Sequence, residues 1–202
     1  MCGEEELFAR TAHLFATAGE ISCAARDLHT FAAARPQAPI PSDRRPIVRK
    51  LYRPSVLLDP SMAQHVRSLQ GHADIRVTLA EINETIIIDR RFMVVAGDVT
   101  DGVRSYGVVT ETAVVQGVSS LFEAAWRSAT ELAVYDAQHA ELVSVAPRVL
   151  EFLASGCKDE TAARELGLGV RTYRRRVAEL MATLGAESRF QAGARARELG
   201  LI

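Results

Sequence analysis

The sequence has 202 residues, 48% of them hydrophobic, enough for a real core, with 24 Lys and Arg set against 25 Asp and Glu. No apolar run approaches the roughly 18 residues that cross a bilayer, and the opening MCGEEELFAR is acidic where a secretion signal is basic. A cytoplasmic protein, neither membrane-spanning nor secreted, is therefore expected. Cys2, Cys23 and Cys157 are scattered and odd in number, which rules out a disulfide framework and a paired metal-ligand motif and leaves buried or incidental thiols.

Along the chain, Leu7, Phe8, Leu14 and Phe15 recur at near-helical spacing between Glu4 and Ala18, with Gly19 as a stop. EISCAARD reads as a short strand. Four of the seven prolines crowd into ARPQAPIPSDRRP, so Arg35 to Pro46 is expected to be a loop or linker. IVRKLY is strand-like, Asp59-Pro60 caps and opens a helix through about Gln70, and DIRVTLA is strand-like again. Strand, helix and strand in about thirty residues make a βαβ unit, whose strands should be parallel. TIIID and RFMVVAG are β-branched and apolar, parted by Asp89 and Arg90, and YGVVTE follows. These predict central strands, a hairpin and one further strand. Val115, Val118, Phe122, Ala125, Trp126 and Ala129 then step by three and four, which predicts a helix covering one sheet face. From Tyr135 to Ser144 the pattern weakens, and the expected domain boundary lies near Gln138.

Beyond it the period is helical. APRVLEFLASG predicts a helix opened by Pro147 and closed by Gly156, and KDETAAREL a second that ends at Gly167. After the short GLG turn, a third helix places Val170, Tyr173, Val177, Leu180, Met181 and Leu184 on one stripe, and a fourth runs from about Ser188 to Leu199. Two short helices joined by a glycine-bearing turn are a helix-turn-helix, whose second helix enters the major groove. The charge distribution agrees. From Pro147 onward there are ten Lys and Arg against seven Asp and Glu, so this segment is basic by three while the remainder is acidic.

The third helix carries four arginines in six positions, Arg171 to Arg176. At about 100° per residue Arg171 and Arg175 project away from its apolar stripe, while Arg174 and Arg176 lie at the two margins with their stems over apolar surface. Arginine suits both phosphate oxygens and the O6/N7 edge of guanine. Glu179 is the one acid between Gly167 and Ala186, so these charges are expected to lack local neutralising neighbours.

From VLEFLASG to the final GLI, about 55 residues resemble the C-terminal helix-turn-helix domain of the LuxR (GerE/NarL) regulators. The resemblance rests on the L-A-x-G before the second helix, the A-x-x-L-G-hydrophobic stretch entering the turn, and Thr172 and Val177 in the third helix. It continues through Leu184-Gly185 closing that helix and Ser188-Arg189 with Gln191-Ala192 opening the last. It implies that Arg174 and Arg175 touch bases, that Thr172 contacts the DNA backbone and that the last helix pairs with a second copy. Lys158, Arg171, Thr172, Arg174, Arg175, Arg176 and Arg189 form the candidate DNA-binding set. The chain departs from that pattern at Gly169, where a capping Ser is usual, at Tyr173 and Ala162, where a smaller apolar residue and an Ile are usual, at Arg176, which replaces a His, and at Pro147.

The stretch from LYRPSVLLDP to MVVAGD, with VSSLFEAAWRSATEL, resembles the phospholipase D-like sensor half of TrmB-related regulators. Phospholipase D chemistry needs H-x-K-x-x-x-x-D, a His to attack phosphorus and a Lys to hold the phosphoryl oxygens. With Asp89 at the Asp position, Ile82 and Glu84 occupy the His and Lys positions, and neither can do that work. His13, His29, His65, His72 and His139 show no triad or metal spacing. No catalytic residue, metal or cofactor is therefore expected. Asp89 and Arg90 read as a turn with a surface ion pair, and Tyr52, Arg53 and Tyr106 as residues at strand ends, where α/β clefts take ligands.

The expected architecture is an α/β domain with a mixed sheet and covering helices over residues 1–138, for sensing or dimerisation, followed by a small four-helix, all-α helix-turn-helix domain over 139–202. The expected function is that of a homodimeric, sequence-specific bacterial transcriptional regulator, nucleoid-associated when bound. Its partners would be double-stranded DNA, a second copy, and a small-molecule or protein effector of the first domain, with no membrane. The alternative is a protein-interaction factor whose degenerate helix-turn-helix modulates another regulator.

Overall fold

The computed structural model describes residues 1–25, 46–80 and 83–202. Most of the proline-rich loop, together with Arg26, Asp27, His29 and Ile82, lies outside the described residues. The chain divides into two compact units, Met1–Arg53 with Ser68–Glu131, and Pro54–Arg67 with Leu132–Ile202.

The first unit is built on a seven-stranded mixed sheet ordered β6-β5-β4-β1-β2-β3-β7. Its strands are β1 (Glu20–Ala25), β2 (Ile47–Tyr52), β3 (Asp74–Val77), β4 (Thr85–Ile88), β5 (Phe92–Thr100), β6 (Val103–Val109) and β7 (Thr130–Glu131). β2 runs parallel to both β1 and β3, the arrangement a βαβ crossover requires, and the other pairings are antiparallel. β4 is TIII, buried at all four positions. A strand with both faces covered is continuously apolar, not alternating, which is why its sequence was legible.

α1 (Gly3–Thr17) buries Leu7, Thr11 and Phe15. Ahead of it, Met1 lies along the edge strand β6 and accepts the Tyr106 N–H at 2.8 Å, shielding part of a row of otherwise open backbone groups. α3 (Thr112–Ser128) lays Val115, Phe122 and Trp126 against Ala24, Leu51, Ile87 and Met93, as its stripe predicted. Arg49 and Arg76 both place their guanidinium groups over the Trp126 ring, at 5.5 and 4.7 Å, contacts worth about 1 kcal/mol each.

β5 and β6 extend further than their apolar runs, because the ladder continues past an irregularity between Ala96 and Val99. Gly97 sits there. A Cβ on it would come 2.4 Å from Ser105 Oγ, so that hydroxyl would have to swing off its bond to the Asp98 carbonyl. The two-residue β7, paired only with β3, is too short to leave a periodic signal.

The second unit comprises a 3-10 helix (Pro54–Leu58), α2 (Pro60–Ser68), α4 (Leu132–Ala154), α5 (Asp159–Glu165), α6 (Val170–Leu184) and α7 (Arg189–Glu198). Its core gathers Leu58, Leu142, Ala146, Val149, Leu150, Ala162, Ala163, Tyr173, Val177, Leu180, Leu184, Ala192 and Ala196. The 3-10 helix and α2, which form the crossover between β2 and β3, thus belong with the helices, and the 3-10 helix packs on α4 and α6. Arg67 adds a two-bond pair with Asp136, both at 2.8 Å.

Pro147 does not open a helix. α4 runs unbroken through it for 23 residues, and Gln138 lies inside the same helix. Proline removes one backbone bond and crowds the preceding turn, at a cost of about 3 kcal/mol. The buried positions Leu142, Ala146, Val149 and Leu150 fall on both sides of Pro147, and their common packing holds the helix together across it. The four residues Leu166 to Gly169 join α5 to α6. Gly167, at φ 66°, takes the left-handed conformation that lets the Leu168 N–H reach back to the Ala163 carbonyl at 2.8 Å.

Candidate nucleic-acid interface

α6 is sharply two-faced. Tyr173, Val177, Leu180, Thr183 and Leu184 are buried, and Arg171, Arg174, Arg175, Ala178 and Ala182 are exposed. Gly169 stands at its N-cap without a side-chain bond to the first turn, where a serine would supply one. The two departures at Ala162 and Tyr173 fall in one core cluster, both fully buried. The Tyr173 hydroxyl is buried without a hydrogen-bond partner.

The arginines are not free of neutralising neighbours, and here the sequence expectation is corrected. Arg174 Nε donates to Asp159 Oδ2 at 2.7 Å, and its Nη2 lies 3.6 Å from Glu160. Arg189 reaches the same Asp159 with both terminal nitrogens, at 2.5 and 3.1 Å. Arg176 pairs with Glu141 of α4 and, at 2.9 Å, with Glu179. Its side chain is only 13% exposed, so its guanidinium is folded inward where an outward reach was expected. Arg175 has a contact of 3.7 Å to Glu179. Three of the four acids lie outside the window from Gly167 to Ala186, which is why local composition missed them.

Two guanidinium groups pressed on one carboxylate change its acidity. Arg189 first, then Arg174, hold Asp159 down at about 2, below the ordinary 3.8. Lys158, directly before it, is exposed and caps no helix by its side chain. Neither Lys158 nor Arg171 forms an ion pair among the described residues. Thr172 is half-buried. Set against the four acids, the six candidate cations leave two charges in excess. Arg174 and Arg189 are brought together at Asp159, Lys158 is exposed just before it in the chain, Arg171 and Arg175 lie along the exposed ridge of α6, and Arg176 stands apart as a bridge to α4.

In the sheet unit, Tyr52, Arg53 and Tyr106 are all buried. Tyr52 ends β2, but Tyr106 lies inside β6 and not at its end. Burial pushes the Tyr52 phenol well up. Asp89 and Arg90 do not pair with each other. Asp89, at φ 51° in the turn, accepts the Gly19 and Glu20 N–H groups at 2.9 and 2.8 Å, while Arg90 reaches Glu123 at 2.6 Å. Glu84 is buried and paired with Arg104, so the acid that the phospholipase D resemblance would set at the lysine position has a cation of its own. Cys2 is exposed, Cys23 buried and Cys157 half-buried, all free thiols. Among the described residues no helix is long and apolar enough to cross a membrane.

No family model matches the sequence. It is 31% identical over 159 residues to the bialaphos biosynthetic pathway regulatory protein of Streptomyces hygroscopicus, an alignment covering 77% of this chain and 61% of that one. The chain therefore spans about three-fifths of the relative's length. Among solved structures, NucT from Helicobacter pylori superposes with a TM-score of 0.52 at 10% identity, over 64% of this chain and 92% of that one. TrmBL2, an archaeal chromatin protein described as having a novel mode of DNA binding, gives 0.49 at 17% identity, over 65% and 53%. The likeness to NucT is one of fold.

Proposed function

We propose that this chain is a sequence-specific DNA-binding transcriptional regulator that acts as a homodimer, with α5, the Leu166–Gly169 turn and α6 as its helix-turn-helix and the sheet unit as a non-catalytic sensor or dimerisation domain. The observation that carries this reading is the exposed ridge of α6, where Arg171 and Arg175 stand opposite the buried stripe. A long, forked, permanently charged side chain at successive turns suits the major groove. The regulatory role named for the Streptomyces relative supports it. The contact set consists of Lys158, Arg171, Thr172, Arg174, Arg175 and Arg189, without the inward-folded Arg176. Catalysis is not part of the proposal, since Glu84 with Arg104 cannot hold a phosphoryl group.

Selection of the full chain on a pool of random duplexes tests this. A two-fold symmetric consensus with half-sites one helical turn apart, about 10 base pairs, is expected. Failure to enrich any sequence overturns the proposal. The pairing of Arg174, Arg176 and Arg189 with acids favours a second reading, a protein-interaction factor that leaves DNA to another regulator. In that case a partner protein is captured and no duplex is.

A further inference from the structure

Asp159 divides the arginines of this surface. Its side chain is 12% exposed, and it accepts from two guanidinium groups that come from different helices, Arg174 of α6 and Arg189 of α7. A guanine is read by two donors on one edge of a guanidinium, aimed together at O6 and N7. Arg189 has turned both of its terminal nitrogens onto the carboxylate. Arg174 has turned its Nε the same way, with Nη2 leaning to Glu160. What each leaves facing outward suits a single phosphate oxygen.

Arg175 is 63% exposed, and its contact with Glu179, at 3.7 Å, is longer than a hydrogen bond. Arg171 is exposed on the same ridge with no ion pair among the described residues. The two are four residues apart on α6, about 6 Å of rise at 1.5 Å per residue, close to two base-pair steps of 3.4 Å. Arg171 is the second residue of α6, at the end of a recognition helix that comes nearest the base edges.

We infer that Arg171 and Arg175 are the specificity-determining pair, reading bases about two steps apart, while Asp159 turns Arg174 and Arg189 away from base edges and partly neutralises them, leaving each a phosphate contact. This reassigns Arg174, which resemblance alone would put on a base, and it rests on the DNA-binding reading above.

Lysine substitutions in the full chain separate the roles, because lysine keeps the charge and loses the fork. Each variant is taken through the random-duplex selection and then titrated against salt on its consensus and on a scrambled duplex. Arg171→Lys and Arg175→Lys should each erase the preference at one base position, the two positions lying about two steps apart. Affinity for the consensus should fall roughly tenfold, while affinity for the scrambled duplex stays within about twofold. Arg174→Lys should keep the consensus. Asp159→Asn, which removes one neutralising charge, should bind all sequences more tightly and steepen the slope of log affinity against log salt by about one. A merely structural Asp159 would weaken binding and leave that slope unchanged. Loss of a base position in Arg174→Lys, or an intact consensus in both Arg171→Lys and Arg175→Lys, overturns the inference while the regulator reading stands. A wild-type chain that binds no duplex overturns both.

Discussion

Asp159→Asn is also a test of how the second unit is held together. The carboxylate ties the start of α5 to α6 and α7 through three hydrogen bonds from two arginines. Sheltered bonds to charged groups contribute about 1.5–3 kcal/mol each, but Arg174 is 59% and Arg189 46% exposed. Exposed pairs contribute roughly 0–1 kcal/mol. Two such pairs, with one acceptor retained by the amide, put the loss at about 1 kcal/mol at pH 7. With a urea m-value of about 2.5 kcal/mol/M, the midpoint should fall by roughly 0.4 M. The pH dependence fixes the cause. Because Asp159 titrates at about 2 in the folded chain and an ordinary Asp at 3.8, its contribution is complete above about pH 4 and is lost as pH falls toward 2. Urea unfolding followed by far-UV circular dichroism should therefore show a gap between the wild type and the variant at pH 7 that closes between pH 4 and pH 2. Equal midpoints at pH 7, or a gap that persists unchanged at the acid end, would refute the clamp.

Two further substitutions probe the same core. Tyr173→Phe removes a hydroxyl buried without a partner, and an unpaired buried polar group costs about 1–3 kcal/mol. Thermal unfolding of the variant should occur at or above the wild-type midpoint, and a marked fall would mean that the hydroxyl is satisfied in solution. Leu58→Ala lies in the crossover between two strands, yet Leu58 is 4% exposed within the helical core, so it should destabilise that unit by about 2–4 kcal/mol. Hydrogen exchange should show faster opening of α4 and α6. Loss of protection confined to the sheet would contradict the packing.

How much of this was readable beforehand depended on whether the cause was local. The β-branched run Thr85 to Ile88 and the helical stripe from Val115 to Trp126 carried their own period, and both elements stand where they were expected. The α6 stripe did likewise, down to the exposed Arg171 and Arg175. Pro147 misled because its local cost is real and only the packing on both sides of it outweighs that cost. Leu58 gave no sign that it belongs with helices some ninety positions further along the chain, and the short β7 had no room for a pattern. The acids at Glu141 and Asp159 were legible as acids but not as partners of Arg176, Arg174 and Arg189, since nothing in a sequence window says which distant carboxylate a folded chain will bring alongside. Ala162 and Tyr173, separate in the sequence, fall in one core.

The most direct measurement of the central claim is duplex binding by the intact chain across a salt series. Contacts through Lys158, Arg174, Arg189 and their neighbours predict affinity that falls linearly with log salt at a slope of several units, with an Arg174→Ala, Arg189→Ala double variant losing roughly two of them. Binding that ignores salt, or a double variant with the wild-type slope, would contradict a role for this arginine-bearing surface of α6 and α7 in holding DNA.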